Sequence, residues 1–389
     1  MSTMTKAGLE DVVACTSAIC EIDGVAGRLS YRGYNTDDLI NATFEDVCYL
    51  LWRGDLPTPD QVSSLRSQMA EERLLPVGVV DVLRRLPATT HPLAALRTAI
   101  SALGALDPEG EDGSPEANER KAIRLTTQAP LIVGAWDRLR NGLDPVTPVA
   151  TDGVASSFLR AVFGTTPATA SQRAIDVALI LHADHELNAS TFAARVAAAT
   201  ETDLHATITA ACAVLKGPKH GGANEDVFVM LEEIGTPKAA DEWVRRKLAW
   251  RESLPPAQRQ MIKARFSGFG HRVYKVDDPR AEHLRRMAQT LSETDARTAN
   301  WLAIAERVRA VVAAEKGLKV NVDFYSALVY QSLGIPADLN TSIFAVSRMA
   351  GWTAHALEQY ANNRLIRPRA EYVGERDRVI TRGSGQLPA

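Results

Sequence analysis

Beyond residue 34 the chain shows almost no strict alternation of apolar and β-branched residues; apolar side chains recur instead every three or four positions. That period fits one face of an α-helix and leaves little room for sheet. Leu93, Leu96, Ile100 and Leu103 form one such stripe. Helix punctuation agrees with it. Thr43 caps a helix that runs through Trp52 and ends at Arg53-Gly54, Thr58-Pro59 opens the next, and Thr90 caps a segment from Pro92 to Leu106. Asp107–Asn118 is acidic and rich in Gly and Pro, which predicts a surface loop before a helix over Lys121–Arg140. Leu143–Asp152 reads as a Pro-bearing connector, and 171–215 as an Ala-rich helical stretch broken near Leu187–Ser190. Further helices are expected at about 224–234, 238–250, 281–312, 322–332 and 342–361. Only residues 14–34 differ: Thr16–Ile22 and Gly27–Tyr31 flank Asp23-Gly24, a hairpin signal. The expected fold is all-α with a short N-terminal β-hairpin. Gly217-Pro218 and the Lys316–Asn321 turn are candidate hinges.

Bulk properties narrow the function. The 389 residues allow two or three domains. With 44 basic and 47 acidic side chains the net charge is −3, so neither nucleic acid nor an anionic membrane surface is an expected partner. Cys15, Cys20, Cys48 and Cys212 lack CxxC or metal-ligand spacing and suit a reducing cytoplasm. Met1–Glu10 has no apolar core of signal-peptide length, and no uncharged apolar run approaches the ~18–20 residues of a membrane span.

Four of the eight histidines sit in unusual local sequence. In GPKHGGAN, Gly217-Pro218 stops one helix and His220 precedes the next, beside glycines that let backbone approach a ligand. A helix N-terminus disfavours imidazolium, so a neutral His220 that donates to a carbonyl becoming an enolate is expected; the bland reading is a glycine-rich turn with an incidental His. In GFGHRVYKVDDPR, His271 stands on a tight loop with Arg272, Lys275 and Arg280, which suits a ligand with several anionic groups, against the commoner meaning of a solvated basic loop. HADHE sets His182 and His185 at i, i+3, a spacing compatible with a metal but lacking a third-ligand cluster. Asp323, at a helix start beside Phe324 and Tyr325, is either an N-cap or a partly desolvated general base. Arg348 lies inside an apolar helix and needs a partner or a ligand; Arg364, Arg367 and Arg369 follow near the C-terminus.

In this order and at these distances the segments resemble citrate synthase. GLEDVVACTSAICEIDG, YRGY, THPLAALRTAIS, LHADHELNASTF, GPKHGGANE, GFGHRVYKVDDPRA, NVDFYS, GWTAHALEQ and RPRAEYVG carry the resemblance over nearly the whole chain. Length and opening are similar to the shorter bacterial and archaeal form, without the added N-terminal domain of longer ones. The resemblance implies a large helical domain (1–219 and 330–389), a smaller inserted helical domain (220–329), and an active site between them in a homodimer. It implies that His220 polarises an acyl thioester carbonyl, Asp323 removes the acyl α-proton, and His271 serves the oxaloacetate keto oxygen. His185, Arg280 and Arg348 would hold the oxaloacetate carboxylates, with Arg367 reaching across the dimer. Arg272 and Lys275 would meet coenzyme A phosphates. No metal and no tightly bound cofactor is implied; acetyl-CoA is the co-substrate. Lys219, Asn340 and Ser342 depart from the familiar pattern and bear on the acyl-CoA preference. The expected activity is condensation of acetyl-CoA with oxaloacetate. The near alternative is 2-methylcitrate synthesis from propionyl-CoA, since one methylene is worth only about 1–3 kcal/mol in a pocket. The alternatives of another class are a metal-dependent hydrolase or lyase built on the HADHE histidines, and a catalytically inert binding protein.

Overall fold

A computed structural model describes residues 7–9, 12–256, 258 and 266–378, so most of the opening stretch 1–10 lies outside the described residues. The hairpin forms, but its first strand begins only at the fourth residue before the turn: β1 (Cys20–Asp23) pairs antiparallel with β2 (Arg28–Tyr31), Cys20 opposite Tyr31. Asp23 shapes the turn by accepting from the backbone N–H groups of Val25 and Ala26 through Oδ1, and Gly27 closes it at φ 68°. A third short strand, β3 (Tyr34–Asn35), extends the sheet beyond the expected pair.

The rest is helical. α1 (Thr36–Leu39) is one turn, and α2 (Phe44–Arg53) starts from a reciprocal capping box between Thr43 and Asp46 and ends on left-handed Gly54 at φ 93°. α3 (Pro59–Glu71) repeats that start with Thr58 and Gln61, and α4 (Val77–Arg84) follows. α5 (Pro92–Leu106) is capped by His91 rather than Thr90. Pro92 occupies the first helical position, so the preceding residue must be the cap, and His91 Nδ1 accepts from Leu93 N at 3.1 Å. α6 (Pro115–Arg140) begins six residues earlier than expected, because Ser114 caps it. The acidic loop thus shrinks to 107–114, and the fully buried Lys121 ties it down by donating to the carbonyls of Gly110 and Asp112.

α7 (Val154–Phe163), α8 (Thr169–His182), α9 (Ala189–Ala198), α10 (Leu204–Leu215), α11 (Ala223–Ile234) and α12 (Ala240–Ser253) follow in order. The single helix expected over 281–312 is two: α13 (Pro279–Ser292) and α14 (Ala296–Lys316). Asp295 restarts the chain by accepting from the N–H groups of Arg297 and Thr298. α15 (Val322–Ser332) and α16 (Asn340–Ala361) complete the fold.

α16 is the centre of the larger core. It is buried on nearly every side, polar residues included, and packs on α2, α6, α8, α9 and α10. Trp352 and Trp136 are almost wholly buried there, and Trp52 Nε1 donates to Thr353 Oγ1 at 2.8 Å across the α2–α16 contact. Helices α13 to α15 pack on one another and on α11 and α12; α13 and α15 meet the remainder at α8, and α11 meets it at α16. The hairpin tip touches this second group: a Cβ on Gly24 would lie 2.5 Å from the carbonyl oxygen of Val273, and Lys275 N donates to Gly24 O at 2.8 Å. Among the described residues no helix is long and apolar enough to cross a membrane.

Candidate active site

The turn before α11 is held by close backbone approach. Gly221 N donates to Leu215 O, and a Cβ at Gly221 would meet that same oxygen at 2.5 Å and Thr341 Cγ2 at 2.7 Å. Thr341 Oγ1 in turn donates to Gly221 O at 2.9 Å. His220 therefore has little freedom, and its Nε2 lies 2.8 Å from Ser190 Oγ. That hydroxyl also receives Trp352 Nε1 at 3.2 Å and lies 2.7 Å from Asn188 Oδ1. Asn188 Oδ1 already accepts the N–H groups of Ser190 and Thr191 as the cap of α9. Its lone pairs are thus engaged, which favours the serine proton on His220 Nε2 and the ring proton on Nδ1. Burial, then the Arg348 charge, lowers the His220 pKa to about 4, so the ring is neutral. The sequence reading had assigned that neutrality to the helix end.

The second histidine is fixed more tightly. Gly268 and Gly270 take φ values of 80° and 83°, and a Cβ at Gly268 would collide with Phe324. His271 Nδ1 accepts from Val273 N at 3.0 Å and Tyr274 N at 3.1 Å, which leaves Nε2 to carry the proton as a donor. Burial, then Arg280, lowers its pKa to about 4. Across from it the His185 ring stands 5.1 Å away, edge on, and the Tyr274 ring closes the triangle at 4.6 Å from His271 and 5.6 Å from His185. His185 is buried, its Nε2 meets no hydrogen-bond partner, and burial with Arg280 drives its pKa well below the usual value.

Asp323 is not the cap of its helix. Asn321 is, accepting Asp323 N through Oδ1 at 3.1 Å, which frees the Asp323 carboxyl for other work. Part of its surface reaches solvent, yet enough protein surrounds the carboxyl that desolvation raises its pKa to about 6, against the pull of Arg280. Asp278 pushes the same way as burial, while Asn224 Nδ2 donates to the backbone carbonyl of Asp323 at 3.3 Å. The segment 319–323 is stitched on both sides: Gly270 N to Lys319 O at 2.7 Å, Asn321 N to Gly268 O at 2.9 Å, Asp278 N to Val320 O at 3.1 Å, and Val322 N to Asp278 Oδ2 at 3.2 Å. Asp323, His271 and Arg280 therefore ride on one bonded unit.

Two guanidinium groups are buried here. Arg280 pairs with Asp278, while Arg348 Nε donates to His182 O at 2.7 Å and its guanidinium lies 4.6 Å from the Phe344 ring centroid. Burial lowers the Arg348 pKa to about 10. Arg272 and Lys275 are exposed on the loop that carries His271. Arg367 stands exposed on the segment after α16, outside any helix or strand, and among the described residues no hydrogen bond or ion pair ties it to the groups above. The HADHE pair does not form a metal centre: His182 Nδ1 lies 2.7 Å from Ala178 O on its own helix and its ring meets Phe344 edge on. Among the described residues no group of three or more His, Cys, Asp or Glu side chains is arranged to hold a metal ion.

Sequence reasoning did not single out Ser190, Asn224, Tyr274 or Asp278. Each lies inside a motif that was read, but its neighbours come from distant segments. Asn340 and Ser342, by contrast, are fully buried and their side-chain polar atoms lack partners, which nothing in the structure explains.

Taken together, two neutral imidazoles with defined donors, a carboxyl near neutrality and buried guanidinium groups can enolise a carbonyl compound and hold an anionic electrophile beside it. Known proteins point the same way. The family model for the citrate synthase C-terminal domain matches residues 8–369. Citrate synthase 2 of Bacillus subtilis is 50% identical over 369 residues, covering 94% of this chain and 95% of that one. A 2-methylcitrate synthase of Mycobacterium tuberculosis is 40% identical, covering 96% and 92%. Citrate synthase of Thermoplasma acidophilum, solved with carboxymethyl coenzyme A and oxaloacetate, superposes with a TM-score of 0.88 at 34% identity, covering 96% and 97%.

Proposed function

The chain belongs to the citrate synthase family, and on that premise we propose that it condenses acetyl-CoA with oxaloacetate and water to give citrate and free CoA. Asp323 takes a proton from the acetyl methyl group while His220 donates to the thioester oxygen. A thioester α-proton is weakly acidic, so the base works only if the oxygen donor strengthens its hold as charge builds. The enol carbon attacks the oxaloacetate keto carbon, and His271 Nε2–H stabilises the oxygen that becomes the alkoxide. Hydrolysis of the thioester then releases CoA and citrate.

His185, Arg280 and Arg348 hold the two carboxylates in this reading, with Arg367 supplied by a second copy of the chain. Arg272 and Lys275 meet the CoA phosphates. Residues 220–329 act as the smaller domain against 1–219 and 330–389, in a cytoplasmic homodimer. The observation that carries the proposal is the stitching of His271, Arg280 and Asp323 into one unit facing His185 across a ring contact of 5.1 Å. It supports a reading in which base, oxyanion donor and anion holder share one space, as a condensation needs.

Release of free thiol with oxaloacetate, measured separately with acetyl-CoA and propionyl-CoA and with or without chelator, tests this. The larger kcat/KM is expected with acetyl-CoA and no effect of chelator. A larger value with propionyl-CoA transfers the assignment to 2-methylcitrate synthesis, and no thiol release from either donor overturns it.

A further inference from the structure

We propose that Tyr274 is an additional oxaloacetate-binding residue, whose phenolic hydroxyl donates a hydrogen bond to an oxygen of the bound dicarboxylate. The inference rests on the function proposed above. Tyr274 is 3% exposed, and its Oη has no hydrogen-bond partner among the described residues. A buried hydroxyl left unpaired is a net cost to the fold, and such groups are uncommon unless something else satisfies them. Its surroundings say what that is. The ring completes the triangle with His185 and His271, and the backbone N–H of Tyr274 is one of the two that hold His271 Nδ1. His185 Nε2, in the same triangle, is likewise buried and without a hydrogen-bond partner among the described residues. Arg280 is the charged group that acts most strongly on the Tyr274 hydroxyl. An oxygen-rich anion between Arg280 and the two imidazoles offers the acceptor that the protein alone does not.

Tyr274→Phe keeps the ring and removes only the hydroxyl, so it separates binding from packing. Thermal melts of the unliganded enzyme, with calorimetric titration of oxaloacetate into both proteins, give the two readouts. The expected result is an unliganded Tm equal to or above wild type, because the substitution deletes an unpaired buried group. The oxaloacetate Kd is expected to rise about tenfold or more, the usual weight of a hydrogen bond to a charged acceptor. A Kd within about twofold of wild type overturns the inference, as does a lowered unliganded Tm with unchanged Kd, which would mean that the hydroxyl has a protein partner. If wild type itself takes up no oxaloacetate, the functional reading fails first and this one with it.

Discussion

Asp278 grips Arg280 at two points, Oδ1 2.9 Å from Nε and Oδ2 2.7 Å from Nη2, with both side chains out of contact with solvent. The same carboxylate accepts the backbone N–H of Arg280 and that of Val322, one residue before Asp323. One anion thus aligns a cation on α13 and the start of the helix that carries Asp323. Arg348 has no such partner: among the described residues it makes no ion pair, although it is equally buried. One guanidinium is oriented in advance, and the other is buried with no carboxylate paired to it among the described residues.

Asp278→Asn removes the countercharge and leaves a buried guanidinium uncompensated. The expected loss of folding stability is about 3–5 kcal/mol, read from urea melts, as for other buried pairs broken on one side. A loss below about 1 kcal/mol would show that the pair does not bear on the fold.

Arg348→Met keeps much of the apolar stem and deletes a charge that burial already disfavours. The unliganded Tm is expected to hold or rise, while oxaloacetate affinity falls by about a hundredfold or more in a titration. Unchanged affinity would remove Arg348 from the carboxylate site.

The pH dependence follows from Asp323. Its pKa of about 6 lies above the ordinary 3.8, so the carboxyl is a base only above pH 6, and kcat/KM should climb through that value and level off. His220 and His271, both near 4, stay neutral throughout and add no limb to the profile. The linked stability has opposite signs for the two kinds of group. Asp323 costs stability increasingly as pH rises from 3.8 through 6; the two histidines cost stability as pH falls from 6.5 toward 4. Asp323→Asn should therefore melt higher than wild type at pH 8 and alike at pH 4. It should also lose about 10²–10⁴ in kcat with oxaloacetate binding retained.

Ser190→Ala strips His220 Nε2 of its 2.8 Å partner and frees the ring to take the wrong tautomer. A fall in kcat of about tenfold, with the oxaloacetate Kd unmoved, is the expected outcome of steady-state and titration measurements. A change in Kd alone would place the serine elsewhere in the mechanism.

If Arg367 completes the site of a second copy, Arg367→Ala and His220→Ala chains, each inactive, should complement after subunit exchange. Random pairing makes half the dimers mixed, with one intact site of two, so about a quarter of wild-type activity should return. Absence of recovery in verified mixed dimers would confine each site to one chain.

Local rules read well from the residues. Thr43, Thr58 and Gly54 act as their positions demand, because capping is decided within four residues. The misreadings are local too, and each has a competitor that won: Pro92 moved the cap from Thr90 to His91, and Asp295 divided a helix whose apolar period ran on through it. The site was visible only as far as its motifs. His220, His271 and Asp323 could be named, yet nothing near Asp278 in sequence says that it will bond Val322, or that Ser190 will meet His220 thirty residues on. Such partners are set by how α9, α11, α13 and α15 pack, and packing is not written in a single segment.

The bond from Lys275 N to Gly24 O has a mechanical side. It joins the two-stranded arm near the N-terminus to the loop that carries His271, with the small tip residue pressed against Val273. If 220–329 moves as a unit against the rest, that motion has to part this catch. A bulkier residue at Gly24 would run into the Val273 carbonyl and wedge the catch ajar, while leaving the side chains of His271, Arg280 and Asp323 unaltered.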